Sequence, residues 1–425
     1  MRNKFHQLRQ SKLTRNYLYH MAYQLLAMFL PLITVPYISR VLGAENIGIY
    51  SYTVSIATYF ISFGSLGMAL YGQREIAYHQ SNKRRRTQIF YEIFCLRLIT
   101  MAIALAAFFI TFVFRTNGYQ FYFAILLLEI LASALDISWF FQGLEEFKKI
   151  AIRNTIVKLL SVASIFLFIK SSADLPIYLA IYVITTLLGN LSLWLSLPKY
   201  LVKSHFKKLQ VWRHFKPTIR LFIPQIAIQV YTLLDKTMLG ALIADKSEVG
   251  FYDQSQKIIK LLLTVITTLG TVMMPRIAAT FAKREYTKIR HYLKKSAKFV
   301  FALSIPMILA VNALADIFVP LFFGAGYQPV ALLMKVISPI LLLIGLSNVI
   351  GTQYLLPTKR LRAYTGSVVA GAAINFIINL ALIPPLGALG ASIGTVVAEA
   401  VVTSIQIFAI RHDRILRGQH HGKNS

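Results

Sequence analysis

Ser81-Asn82-Lys83-Arg84-Arg85-Arg86-Thr87 stands between two apolar stretches, 48–71 and 89–114, each long enough to cross a hydrocarbon core of about 30 Å. Four consecutive cations suit either a nucleic-acid patch or the inner-face anchor of a membrane protein. The rest of the chain decides between them. The 425 residues carry a formal charge of +29, but 56% are hydrophobic and the mean hydropathy is +0.60, values foreign to a soluble nucleic-acid-binding domain of this size. Working outward from Lys83, apolar stretches recur near 17–39, 48–71, 89–114, 119–141, 151–169, 176–198, 217–243, 250–274, 297–322, 327–356, 363–383 and 387–410. Of the 45 Lys and Arg residues, 35 lie in the N-terminal segment, in the connections after even-numbered spans or in the C-terminal tail, counting those at the adjoining span ends. Only 4 lie in connections after odd-numbered spans, and 6 lie within spans. By the positive-inside rule the pattern predicts an all-α integral membrane protein with twelve transmembrane helices and both termini cytoplasmic. No nucleic-acid partner is expected.

The single cysteine, Cys95, falls inside a span, so no disulfide framework or cysteine metal site is expected. The basic N-terminus leads into a full-length apolar stretch containing Pro31 and Pro36 without a small-residue cleavage site, which argues against a cleaved signal peptide. The outer connections are short, and the longer inner ones, 199–216 and 275–296, hold no phosphate-binding glycine loop, metal-ligand spacing or nucleophile triad. No catalytic residue and no metal site is assigned. His205, His214 and His291 read as solvated or headgroup-facing residues.

Ile47-Gly48-Ile49-Tyr50 and Val249-Gly250-Phe251-Tyr252 open the second and eighth spans, and Arg74 and Arg276 close them, all at an offset of 202. This predicts a duplicated six-span unit. The expected organisation is an N-terminal six-helix lobe at 1–198, a basic cytoplasmic linker at 199–216, a C-terminal six-helix lobe at 217–410 and a cytoplasmic tail at 411–425. Six spans is an even number, so the two copies run parallel, related by an axis along the membrane normal with a cavity between them.

Charges at membrane depth are expensive and normally face a cavity or a partner. The six intramembrane cations are Arg97, Lys158, Lys236, Lys257, Lys260 and Lys335. Asp253, Lys257 and Lys260 share one helical face, as do Asn154, Lys158 and Ser161, and the seventh span carries Gln225, Gln229, Thr232, Asp235 and Lys236. These stripes suit the walls of a wet, positive cavity. The alternative for each cation is an ion pair, such as Asp253 with Lys257, or snorkelling to an interface. Glu129, Ser133 and Asp136 share a face of the fourth span, and Glu399 sits in the twelfth. For Glu129, Asp136, Asp235 and Glu399 two roles stand: an interhelical ion pair, or a site for a coupling proton or Na+ ion. Asn375 and Asn379 suit helix-to-helix hydrogen bonding.

Several of these residues carry a family resemblance. Pro31-Leu32-Ile33-Thr34-Val35-Pro36-Tyr37-Ile38-Ser39-Arg40-Val41-Leu42-Gly43, Asp136-Ile137-Ser138-Trp139-Phe140-Phe141-Gln142-Gly143-Leu144-Glu145 with Arg153-Asn154, Asp235-Lys236-Thr237-Met238-Leu239-Gly240 and Phe323-Gly324-Ala325-Gly326-Tyr327 resemble the polysaccharide repeat-unit flippases. These are the Wzx-like group of the MOP superfamily, which also holds MATE-type multidrug extruders and the lipid II flippase. The resemblance implies a MATE-like fold and outward movement of a polyprenyl-pyrophosphate-linked oligosaccharide for capsule, exopolysaccharide or a related glycan. It also implies a polysaccharide polymerase and chain-length machinery as partners, beside the membrane lipids. The cationic stripes agree in sign with a pyrophosphate headgroup. Arg97, Lys158, Lys236, Lys257 and Lys260 are its candidate ligands, with Asn154, Gln225 and Gln229 for sugar hydroxyls. A cation-coupled multidrug extruder calls for a net acidic or aromatic cavity, a membrane glycan polymerase for larger outer loops, and a major-facilitator sugar transporter for a different motif after its second span.

Overall fold

The computed structural model describes residues 12–114, 118–202 and 209–411, which are almost wholly helical, with no strand among them. Helix α1 (Lys12–Ser65) runs through the first two predicted spans and breaks at Gly43, where φ is 79°. A second break at Leu66 and Gly67, both with positive φ, precedes α2 (Met68–Tyr78). Helices α3 (Lys83–Phe108), α4 (Gln120–Ala134), α5 (Ser138–Gly143), α6 (Phe147–Phe168) and α7 (Leu175–Trp194) follow. The later part of the chain forms α8 (Phe215–Leu242), α9 (Ser247–Ala282), α10 (Tyr286–Phe323), α11 (Gln328–Ile337), α12 (Ile340–Ser347), α13 (Leu361–Leu386) and α14 (Ala388–Arg411).

Ten helical stretches among the described residues are long and apolar enough to cross a membrane. The difference from twelve has two sources. Tyr23–Tyr78 counts as one stretch of 56 residues, and α8 is absent from the ten. The polar stripe of Gln225, Gln229, Asp235 and Lys236 dilutes the apolar run of α8.

The helix breaks have chemical causes. Between α4 and α5, Asp136 Oδ1 accepts the Ser138 amide at 2.9 Å and restarts the helix, while Arg97 donates to the Ser133 carbonyl at 2.5 and 3.1 Å. After α12 the chain widens to a π-helix at Asn348–Leu355, where Gln353 donates to the Asn348 side chain five residues back.

The chain divides into two compact units. One contains the residues up to Gly43 with Tyr52–Val230, and the other contains Ala44–Ser51 with the residues from Tyr231 onward. The division at Val230 lies inside α8, not in the connection 199–216.

In the first unit, Trp139, Phe140 and Phe141 of α5 are fully buried. Trp139 stacks on Phe90 at 5.7 Å and lies where a Cβ at Gly72 would intrude. Aromatic contacts of this kind contribute about 0.5–1.5 kcal/mol per pair, and several of them hold this six-residue helix in place. Several connections touch one another. Arg86 donates to the Tyr200 carbonyl at 2.5 Å and Lys149 to the Tyr200 hydroxyl at 2.5 Å, joining three even-numbered connections. At the other end, Tyr37 donates to the Ile169 carbonyl at 2.6 Å.

The second unit packs α14 tightly on α13. Buried Gly390, Ala391, Ser392, Gly394 and Ala398 keep one face of α14 small, and the Asn379 side chain fills the space beside Gly394. That close approach brings polar side chains of α13 and α14 to the acidic end of α8.

Candidate functional site

The second unit gathers the densest set of membrane-depth charges. Asp253 on α9 is buried and pairs with Lys236 of α8 and with Lys257 one turn along, the latter at 2.7 Å. Two of the five headgroup candidates are thus already held by one carboxylate. Lys260 differs. Its side chain is exposed, and its ammonium makes no hydrogen bond or ion pair among the described residues. It lies within electrostatic reach of Asp235, Asp253 and Glu399, with Lys236 opposing them.

Behind Lys260 lies a buried polar network centred on Asp235. Its carboxylate accepts hydrogen bonds from the Tyr252 hydroxyl, from Thr395 Oγ1 at 2.8 Å and from Asn379 Nδ2 at 2.6 Å. Gln256 donates to the Tyr252 hydroxyl at 2.8 Å. No Lys, Arg or His forms an ion pair with Asp235 among the described residues. Asn379 Oδ1 and Gln256 Oε1 are buried without a hydrogen-bond partner. Glu399, also buried, accepts from Tyr231 at 2.7 Å. Hard oxygens around a carboxylate with no basic partner suit a proton or a small cation such as Na+.

The profile of the polysaccharide biosynthesis protein family matches residues 13–281. The chain belongs to that family. The MatE profile matches residues 221–387 of this polysaccharide biosynthesis protein. It is 25% identical over 409 residues to a putative O-antigen transporter of Escherichia coli (strain K12), covering 95% of this chain and 98% of the relative. A putative O-antigen transporter of Shigella dysenteriae is 22% identical over 90% of this chain and 96% of its own length. Among solved structures, the lipid II flippase MurJ in an inward closed conformation matches with a TM-score of 0.75 at 14% identity, covering 93% of this chain and 87% of that one. A multidrug resistance MATE family transporter in its inward-facing conformation gives 0.69 at 14% identity, over 93% and 96%. The fold of this polysaccharide biosynthesis protein is therefore MATE-like, and it is a multi-pass membrane protein.

The first-unit candidates of this family member are separate from one another. Gln225 and Gln229 line a cavity of about 170 Å³ with Ser62, Ser65 and Phe222, beside the break at Gly67. Lys158 and Asn154 are half-buried on α6, and Lys158 has no hydrogen bond or ion pair among the described residues. Arg97 is buried and directed to the Ser133 carbonyl at the end of α4. Asp136 accepts the Ser138 amide at the same break and stands 3.9 Å from Arg153. Glu129 is buried and accepts from Tyr182 at 2.6 Å, with its second oxygen unpartnered. Lys335 pairs with Asp316 at 2.5 Å.

His214 corrects the expectation of a solvated residue. It is 2% exposed, with Nδ1 at 2.8 Å from the Tyr71 hydroxyl and Nε2 at 2.9 Å from Glu92, and burial holds its pKa below the ordinary histidine value. Glu92 also accepts from Arg213 and from the Gln210 amide at 2.8 Å, which anchors the linker to α3. His291 is exposed, as expected; His205 and the tail from 412 lie outside the described residues. Composition did not flag Tyr252, Gln256, Thr395, Tyr231 or Tyr182. The one available signal was Tyr252, conspicuous as a repeat marker, with Gln256 one turn further along the same face.

Proposed function

We propose that this protein is a flippase that moves polyprenyl-pyrophosphate-linked oligosaccharide units from the inner to the outer leaflet for assembly of a surface polysaccharide. Lys260 carries this proposal: an exposed, unpaired ammonium at membrane depth in a polysaccharide biosynthesis protein. A pyrophosphate leaving the headgroup region loses water, and a positioned ammonium offsets part of that loss. The O-antigen transporter relatives and the lipid II flippase neighbour support the same substrate class. Lys236 and Lys257 share one Asp253 charge, so this triad contributes one net positive charge beside Lys260. Lys158 is the matching candidate in the first unit, and Gln225, Gln229 and Asn154 are candidates for sugar hydroxyls. The polyprenyl tail stays in lipid, and no bond is made or broken.

In this proposal the chain crosses the membrane twelve times as two six-helix lobes, with both termini cytoplasmic. A helix of 56 residues would extend about 84 Å, far beyond a core of about 30 Å, so Tyr23–Tyr78 makes two passes about the Gly43 break. The parity of the inter-connection contacts supports the orientation read from charge. Transport proceeds by alternating access between the lobes, and a polymerase with its chain-length machinery receives the product outside.

Asp235 is the proposed coupling site, with Glu399 beside it. A proton or Na+ bound at Asp235 makes the surroundings of Lys260 more positive and favours the anionic headgroup; by linkage the headgroup favours the cation equally. Asp235→Asn is expected to abolish the dependence of export on the ion gradient, measured by transport under imposed proton and Na+ gradients.

The deciding experiment labels lipid-linked oligosaccharide with an impermeant glycan reagent, before and after permeabilisation, in cells depleted of the protein. Accumulation only on the cytoplasmic side is expected. Normal outward labelling of unpolymerised units would place the protein later in assembly. An unchanged pattern would favour the multidrug extruder, which the MatE profile also accommodates.

A further inference from the structure

The two copies of the repeat motif, Ile47-Gly48-Ile49-Tyr50 and Val249-Gly250-Phe251-Tyr252, meet inside the second unit. Their contact is reciprocal. A Cβ at Gly48 would collide with the main-chain carbonyl of Lys246 and stand 3.0 Å from the Gly250 nitrogen; a Cβ at Gly250 would collide with the carbonyl of Ala44. Gly48 and Gly250 are separated by 202 residues, and so are Ala44 and Lys246. Each copy therefore offers the same carbonyl to the glycine of the other, the signature of an isologous contact about a two-fold axis. Any residue larger than glycine would force the backbones apart. Ile47 and Val249, also equivalent in the repeat, are 2% and 0% exposed beside the glycines, so the seam is dry. Next to it Glu248 accepts the Ala388 amide at 2.6 Å, bringing in a third connection assigned to the outside by charge.

Two features of this seam bear on movement. Ala44–Ser51 packs with the second unit although the chain on both sides of it belongs to the first. It follows Gly43, whose φ is 79° while the space around its Cβ position is open. Gly43 is therefore required for backbone conformation and not for room, and a rotation there swings the helix that begins at Ala44, carrying Gly48 with it.

We propose that Ala44–Ser51 and 246–250 form the outer gate of the export path, closed by glycine–carbonyl contacts between the repeat copies and opened to release the oligosaccharide into the outer leaflet. The gate rests on the flippase function proposed above, but its movement is measurable without the substrate.

In a Cys95→Ser background, a reporter cysteine at Lys260→Cys is labelled from outside with an impermeant maleimide. Gly48→Leu and Gly250→Leu are each expected to raise that labelling severalfold, and in the Lys260-containing protein to stop export. Unchanged labelling at normal abundance overturns the gate. A pair that leaves the glycines intact, Glu45→Cys with Ser247→Cys, equivalent in the repeat and open to reagent at the edge of the seam, is bridged by a cleavable bifunctional thiol reagent and covers the case in which the leucine variants fail to fold. Export is expected to cease on bridging and return on cleavage, and continued export through the bridged protein overturns the gate. Severalfold labelling with no oligosaccharide export by the wild type would uphold the gate and refute the proposed substrate.

Discussion

Arg97 in the first unit and Lys260 in the second are both cations at membrane depth, but their surroundings are opposite. Arg97 is buried and directed to the Ser133 carbonyl, holding the end of a broken helix. Lys260 is exposed and unpaired. The same charge is thus tied to the backbone in one place and unpaired in the other, and sign and depth alone do not separate the two. Asp253, with Lys236 and Lys257 bound to it, lies between these extremes.

Breaking the paired cluster should have the largest effect. Asp253→Asn leaves two lysines without their carboxylate and is expected to cost about 3 kcal/mol or more, read as lost thermal stability in detergent. Unchanged stability would mean that Lys236 and Lys257 are as free as Lys260. Lys260→Ala should leave abundance and melting intact while export falls about tenfold to a hundredfold, the range for a lost charge-assisted contact of roughly 1.5–3 kcal/mol, and Lys260→Arg should recover part of it. Full export by Lys260→Ala would remove the distinction between the two regions.

Arg97→Leu tests the other side. It should lower stability by about 2 kcal/mol while each remaining molecule exports at nearly the wild-type rate. A stable Arg97→Leu protein that does not export would return Arg97 to the transport path. The smallest effect is expected at the 170 Å³ cavity, where Gln225→Ala removes one neutral donor worth about 1 kcal/mol and should slow export only severalfold. A loss as deep as that of Lys260→Ala would move the main contact from the charge to the sugars.

The helical membrane character was legible because apolar length is a one-dimensional pattern, and the proposed sidedness and duplication rest on patterns of the same kind. Apolar length reports membrane crossing, cation counts report sidedness, and an offset of 202 between Gly48 and Gly250 reports duplication. The polar stripe of α8 was equally visible, and it is also why that helix falls outside the ten most apolar stretches. The partners of the charges were not legible. Asp253 could be matched with Lys257 by helical spacing, but Lys236 arrives from another helix. Asp235 could be flagged as a costly acid, whereas Thr395 and Asn379 reach it only because the small residues of α14 let two later helices approach. His214 looked solvated in a basic linker because nothing local announces Glu92, 122 positions away.

Sequence by itself determined that this chain is a helical, multi-pass membrane protein, because the bilayer imposes hydrophobic length on any chain that crosses it. The tertiary structure alone decided which ionisable groups are satisfied and which remain open, and that Gly48 and Gly250 touch. Pairing depends on side chains from helices far apart in sequence, and whether a charge at depth is structural or functional is decided by the partner it finds.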